Sequence, residues 1–546
     1  MAKHRMNKAG ILTLALALTL LLAACGGQSA PAANSSAAQS EAAAAQTPTA
    51  QNQTPAQPDA APAENAAAAP KHLNAAIYWS AATLDPAVDY DGWTTCRAGI
   101  TETLVMVDEN LELVPLLSDT WEQTDETTWV MHIRDGVTFH NGKSVDAAAV
   151  KACFERTMEM QDRAVTACKI DSIEADGQSL TIKTSEPFGA FLANLSEPLY
   201  SVIDVDAGTD PATAPVATGP FMVTGFKAED VIELAAYPGY WNGPSDLDTV
   251  TVKTITDNST RAMALQSGEI DIAQRVNNND IDILRADPNY AVYETAGTRI
   301  QVLILNHANE FLSDYNVRKA LECSLNYEAL VKIMGGSYTL AGAPYPSSAP
   351  YGYDQLDVQH YDAAQAKSLL AEAGWADSDG NGYVEKNGKE LSLTLTYNDA
   401  AISAAMEAVQ AMAGAVGIRV NLDLRDSTGD IDSTRDFEML VRNWQSLSTG
   451  DPQWLLDTMY KSGAMTNLGS YSNLELDKIC DELSNAFDFA SRQKLTVEAE
   501  KIILADCVNI NLFGQNNYVI ASAKVENVKP FPIDYYFIDN TTSITG

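Results

Sequence analysis

The side chains able to hold a metal or do acid–base chemistry are scattered along this sequence. His72, His132, His140, His307 and His360 each lack a second histidine, a cysteine or a close carboxylate at metal-ligand spacing. His140, just before Asn141-Gly142, reads as a local hydrogen-bonding residue. Asp377-Ser-Asp379-Gly-Asn381-Gly382 begins like a calcium loop, but its twelfth position, where a carboxylate must close the shell, is Gly388. Residues 377–389 therefore read as a polar hairpin turn. G-x-S-x-G, H-E-x-x-H, a phosphate loop and C-x-x-C are all absent from the sequence. Acidic residues number 72, enough to supply a hydrolytic pair, but no spacing marks one. The sequence implies no cofactor and no resident metal, and it does not point to an enzyme.

Cys25 is different. Lys3, Arg5 and Lys8 precede an uncharged run from Ala9 to Leu22, the basic and apolar regions of an export signal. Leu22-Ala23-Ala24-Cys25 then places small residues before a cysteine whose thiol takes a diacylglycerol before cleavage. Residues 1–24 are expected to be a lipoprotein signal peptide, and the lipid on Cys25 to anchor the chain to a membrane through its buried methylenes. Residues 26–70 contain no Val, Ile, Leu, Met or aromatic residue. Such a segment cannot bury enough surface to offset its chain entropy, so 25–70 is expected to be a lipidated disordered tether. As a flexible coil it would reach about 35–40 Å.

Everything beyond residue 70 has the composition of a folded protein. The 8 Trp, 21 Tyr and 13 Phe all lie there, and a chain of 546 residues is too long for one compact core. The formal net charge of −37 becomes −40 once the three cations of the signal segment are removed. That excess of acid excludes a nucleic-acid partner, because phosphate binding needs clustered cations. Cys96, Cys153, Cys168, Cys323, Cys480 and Cys507 are too sparse for a disulfide scaffold and read as buried thiols.

The expected elements are those of an α/β protein. Trp129–Ile133 alternates and, with Val137–His140 after Arg134-Asp135-Gly136, predicts a hairpin. Ser144–Met158 predicts a helix with Ala147, Val150, Phe154 and Met158 on one stripe and Asp146 near its start. Ser259–Ser267, Asp314–Met334, Asp362–Ala373 and Ala400–Val416 are further helices. Ile300–Leu305, an almost unbroken apolar run, predicts a strand buried on both faces. Glu390–Tyr397 and Ile418–Leu424 are strands around the last helix, a βαβ-like order.

Several segments, in order, resemble the extracellular solute-binding proteins of the peptide/nickel ABC-importer type. They are Trp121-Glu122 with Trp129 through Gly142; Ala217-Thr218-Gly219-Pro220-Phe221; Tyr237-Pro-Gly-Tyr240-Trp241; Arg261–Leu265 with Gly268-Glu269-Ile270-Asp271; Asn316–Leu321; and Tyr361–Lys367 through Ala373-Gly374-Trp375. The resemblance implies a two-lobed periplasmic-binding-protein-like fold with a hinge and a ligand cleft between the lobes. It implies lobe I at 71–300, with 513–546 returning to it, and lobe II at 301–512. The chain would act as a monomer that closes on a solute and docks on the transmembrane subunits of a permease, facing the extracellular side or the periplasm.

The resemblance also implies site residues. Trp444 matches the cleft aromatic of both branches of the family. Tyr90, Trp93 and Arg97 follow Leu84-Asp85-Pro86, a segment whose downstream residues face the ligand in relatives. Arg163 aligns with an arginine that holds chelator carboxylates in nickel-type members, whereas the second such position, near Glu197–Tyr200, is not arginine here. In peptide receptors a carboxylate three residues after the tryptophan pairs with the peptide amine. Here that position is Leu447, which leaves Asp451 as a shifted candidate. The implied ligand is a small metal chelate of the nickel type or a small peptide-like solute. An oligopeptide or dipeptide receptor is the alternative, and an exported hydrolase or cell-wall interaction protein is the alternative of another class.

Overall fold

The computed structural model describes residues 70–79 and 81–545. The expected signal peptide, Cys25 and all of the tether but residue 70 lie outside the described residues. Among the described residues no helix is long and apolar enough to cross a membrane.

The fold is built on one 11-stranded mixed sheet. Its spine is a pair of long antiparallel strands, Tyr290–Leu305 and Asn509–Ser522, in register from Tyr290↔Ser522 to Ile304↔Asn509. The register shifts between Thr295 and Arg299 and again between Gln301 and Val302. Such irregularities bend a strand and sharpen its twist. The break also divides the neighbours. On one side lie Ile272–Gln274, His72–Ile77, Thr249–Thr254, Val231–Ala236 and Phe221–Lys227. On the other lie Met439–Gln445, Ser392–Tyr397 and Arg419–Leu424, and the eleventh strand, Tyr338–Thr339, pairs with Asn509–Ser522 off this path. Buried apolar clusters cover both parts, one around Leu73, Val250, Phe221 and Ile272, another around Leu303, Leu321, Leu395 and Met406. Ile300–Leu305 is buried throughout, as its continuous apolar sequence predicts.

A separate four-stranded sheet, Ser118–Asp125, Thr128–Ile133, Ser179–Thr184 and Ile170–Asp176, carries the helix Ala147–Met160. The hairpin expected from 129–140 does not form. Thr128–Ile133 pairs instead with Ser118–Asp125 and Ser179–Thr184, while the Asn141-Gly142 turn folds Thr138 onto Ser144. The turn signal is real, but it acts one segment later than the alternation suggests. The helix starts where its cap places it: the Asp146 carboxylate accepts from Ala149 N.

The single helix expected at Asp314–Met334 is two, Tyr315–Ser324 and Tyr327–Met334. Leu325 is extended, and the Asn326 side chain caps the second helix by accepting from Ala329 N. The helix Ala363–Glu372 begins as expected, with the Asp362 carboxylate accepting from Ala364 N and Gln365 N. Gly219 marks a close approach of backbones. A Cβ there would stand 2.4 Å from the Gly99 carbonyl oxygen, so only glycine lets 217–221 lie against 99–100.

Candidate ligand-binding site

A cavity of about 560 Å³ opens beside the central strands. Tyr90 and Trp93 reach it from the start of the helix Asp91–Arg97, a turn fixed by the Asp91 carboxylate, which accepts from Thr83 N and Thr83 Oγ1 at 2.8 and 2.9 Å. Trp444 comes from the end of the strand Met439–Gln445, and Trp454 from the short helix Gln453–Leu455 that follows. The two indoles stand 5.8 Å apart. Trp93 is the centre of the other wall, 5.1 Å from Tyr90, 6.2 Å from Trp79 and 5.2 Å from Tyr535. Half a dozen aromatic rings at these separations make a wall suited to planar or cationic groups.

The charged groups of the cavity are Arg163, Glu197 and Arg299. Arg163 projects from the first turn of the helix Asp162–Cys168, and each of its guanidinium nitrogens meets a protein partner. Nη1 is ion-paired with Glu197, Nε donates to Gln161 Oε1 at 3.0 Å, and Nη2 donates to Asp89 O at 2.9 Å. Its guanidinium carbon also lies 4.4 Å from the centre of the Tyr90 ring. Arg299 comes from the long strand at the break in register. Its Nη2 donates to Gln445 Oε1 at 3.2 Å and lies 3.6 Å from Asp534 Oδ2.

Asp534 sits behind this floor and gathers Arg275 at 3.0 Å, Arg97 at 3.5 Å and the Tyr78 hydroxyl at 2.5 Å. Burial alone would raise its pKa, but Arg299, Arg97 and Arg275 outweigh that and hold it well below the usual carboxylate range. Three guanidiniums on one carboxylate leave positive charge beneath the cavity. Several polar groups of the lining residues are buried without a partner among the described residues: Trp93 Nε1, Trp444 Nε1, Arg299 Nε and the Tyr535 hydroxyl. An unmade hydrogen bond costs about 1–3 kcal/mol for each buried group.

Of the six expected site residues, Tyr90, Trp93, Arg163 and Trp444 converge on this cavity. Arg97 and Asp451 are placed elsewhere. Arg97 is wholly buried behind Trp93, where its Nε donates to Asp534 O at 2.6 Å and its Nη2 faces the Asp534 carboxylate. Asp451 is a structural ion-pair partner. It accepts from Arg492 Nε at 2.8 Å and Nη2 at 2.5 Å, and from Gln453 N at 2.9 Å, so its carboxylate is not free for a ligand amine. Trp79, Arg299, Trp454 and Tyr535 were not expected. Tyr535 arrives from the far end of the chain and no local pattern announces it. Trp454 follows the Asp451-Pro452 turn closely, and that proximity to Trp444 was a usable signal.

The remaining chemistry is local. His140 Nε2 lies 3.0 Å from Gly219 O, and burial holds its pKa down at about 4, as befits a hydrogen-bonding residue at a turn. Asp377, Asp379 and Glu385 bring carboxylates within 4.8 Å of one another, but Asp377 accepts from Gly380 N and Gly382 N, and Asp379 from Asn381 N. This is the polar turn expected, closed by pairing of Glu385–Lys386 with Lys389–Glu390. The six cysteines from Cys96 to Cys507 are free and buried. A smaller cavity of about 140 Å³ lies against Glu102, whose carboxyl is pushed up to about 7 by burial despite hydrogen bonds from Tyr240 and Trp241.

The chain is similar to known binding proteins over most of its length. It is 34% identical to a solved nickel ABC transporter protein from Bacillus halodurans, with a TM-score of 0.77, covering 87% of this chain and 100% of that one. It is 25% identical over 476 residues to the nickel-binding protein NikA of Staphylococcus aureus, 87% of this chain and 94% of that protein. It is 28% identical over 464 residues to the glutathione-binding protein GsiB of Pectobacterium atrosepticum, 80% of this chain and 87% of that protein. The fold is thus the two-lobed α/β fold of the periplasmic binding proteins. With residues 112–467 matching the middle region of the family profile, the chain belongs to family 5 of the bacterial extracellular solute-binding proteins.

Proposed function

We propose that this protein is the solute-capturing receptor of an ABC importer, taking a small chelated metal of the nickel type or a small peptide-like solute into the aromatic-walled cavity. The observation that carries the reading is the convergence of Tyr90, Trp93, Trp444, Trp454 and Tyr535 with Arg163 and Arg299 around about 560 Å³, the size of a small-solute site. The nickel-binding and glutathione-binding relatives support the two ligand classes.

Tyr90, Trp93, Arg163 and Trp444 are its ligand-facing residues. Lobe I comprises 71–300 with 513–546 returning to it, and lobe II comprises 301–512. The break in register between Thr295 and Arg299 is the natural place for the strands to flex. The receptor acts as a monomer and makes or breaks no bond: closure buries the solute, and the closed form docks on the permease. Diacylglycerol on Cys25 holds it at the outer face of the cytoplasmic membrane or in the periplasm, with 26–70 as the tether.

Small-angle scattering of the mature chain tests this reading. Nickel with L-histidine, or a di- to pentapeptide, should reduce the radius of gyration in a saturable way. Turnover of a peptide or glycan, with no compaction, would turn the assignment to an exported hydrolase or wall-interaction protein.

A further inference from the structure

Each guanidinium nitrogen of Arg163 already has a protein partner, in Gln161, Glu197 and the Asp89 carbonyl, and the Tyr90 ring lies against its face. Glu197 cancels its charge at close range. The Glu197 side chain is itself only 12% exposed, and its Oε2 accepts no hydrogen bond from any described residue. A polyanionic solute would have to break this pair to use Arg163 and would then face an unpaired carboxylate in a half-buried wall, where charges interact more strongly than in water.

Groups of opposite polarity line the same cavity. Among the described residues, Arg299 Nε and the Tyr535 hydroxyl are buried donors without partners, and Asp534 with its three arginines leaves positive charge near them. Burial, together with the negative charges of Glu197 and Asp534, pushes the Tyr535 phenol well above its ordinary value, so it remains a donor. Tyr535 thus feels the charge of both Glu197, an acceptor, and Arg299, a donor, in the lining of one cavity.

We infer that Glu197 is a specificity-determining residue that selects solutes presenting an amino group to its free oxygen while a carboxylate meets Arg299 and Tyr535. The ligand class is an amino acid or short peptide, carrying either a free ammonium or an amine polarised by a chelated metal, and not a polycarboxylate chelator. The inference rests on the receptor reading above and narrows it.

Calorimetric titration of the mature chain with two matched pairs tests it: nickel with L-histidine against nickel with citrate, and tetra-alanine against N-acetyl-tetra-alanine. In at least one pair the amine-bearing member should bind about ten-fold tighter or more. Glu197→Gln should narrow that gap to about three-fold or less, chiefly by weakening the amine-bearing member. Equal affinities within both pairs, or an unchanged gap in Glu197→Gln, would overturn the inference and leave the receptor reading standing. Absence of binding by all four probes would overturn both. The wild-type comparison needs no variant, so the folding of Glu197→Gln does not decide the matter.

Discussion

The rings of Trp93 and Tyr535 lie 5.2 Å apart, so a residue near the start of the folded chain and one near its end form a single wall of the cavity. The Tyr535 hydroxyl has no partner among the described residues. Its ring packs while its polar end waits.

Tyr535 therefore separates packing from recognition. Tyr535→Phe should leave the unfolding midpoint of the free protein unchanged or slightly higher, since it removes a buried unpaired hydroxyl. It should nevertheless weaken a carboxylate-bearing solute. Tyr535→Ala should cost about 3–5 kcal/mol by urea unfolding, as for other buried aromatic truncations.

Asp451 and Arg492 form a buried bidentate pair, and this is a stability element. Asp451→Ala should destabilise by about 3–5 kcal/mol because it leaves the guanidinium buried and uncompensated. Solute affinity of the folded fraction should stay within about two-fold of wild type. A large loss of affinity at unchanged stability would return Asp451 to the binding site.

Much of this was legible in the sequence. Asp146 and Asp362 announced their helices because capping is local chemistry, and the apolar run Ile300–Leu305 announced a doubly buried strand for the same kind of reason. The pairing of Thr128–Ile133 was not legible, because its partners are chosen by long-range contacts and not by the nearest turn. The site divides likewise. Tyr90, Trp93, Arg163 and Trp444 carried a family pattern. Asp451 was only a shifted candidate for the amine; Arg492, 41 residues away, holds its carboxylate, and nothing in the spacing foretold that pair.

Gly189 fits against a second segment with no space to spare. Its N–H donates to Ser484 O at 2.8 Å, and a Cβ would stand 2.2 Å from both Ala486 O and Arg492 Nη1. Gly189→Ala should force 188–190 away from 483–487. Urea unfolding should show a loss of about 1–3 kcal/mol, the usual cost of overpacking.

Glu500 is 1% exposed, its Oε1 is unpaired among the described residues, and burial pushes its carboxyl up to about 8. Between pH 4.5 and 8 the unfolded chain ionises this group while the folded chain keeps it protonated, so folding loses stability as pH rises through that window. Glu500→Gln should stabilise the protein at pH 8 by about 1 kcal/mol or more, with the advantage vanishing below pH 4.5. Urea unfolding of both forms at pH 4, 6 and 8 reads the difference. A pH-independent gap would contradict the assignment.

The central claim is that the aromatic cavity captures a small solute, and Trp444 is its most direct probe. Calorimetric titration of the mature wild-type chain and of Trp444→Ala with nickel–L-histidine and with di- to pentapeptides measures it. The account predicts saturable one-to-one binding by at least one of these solutes, weakened about ten-fold or more in Trp444→Ala with the unfolding midpoint kept within a few degrees. Silence towards every solute, or affinity indifferent to the loss of Trp444, would contradict it.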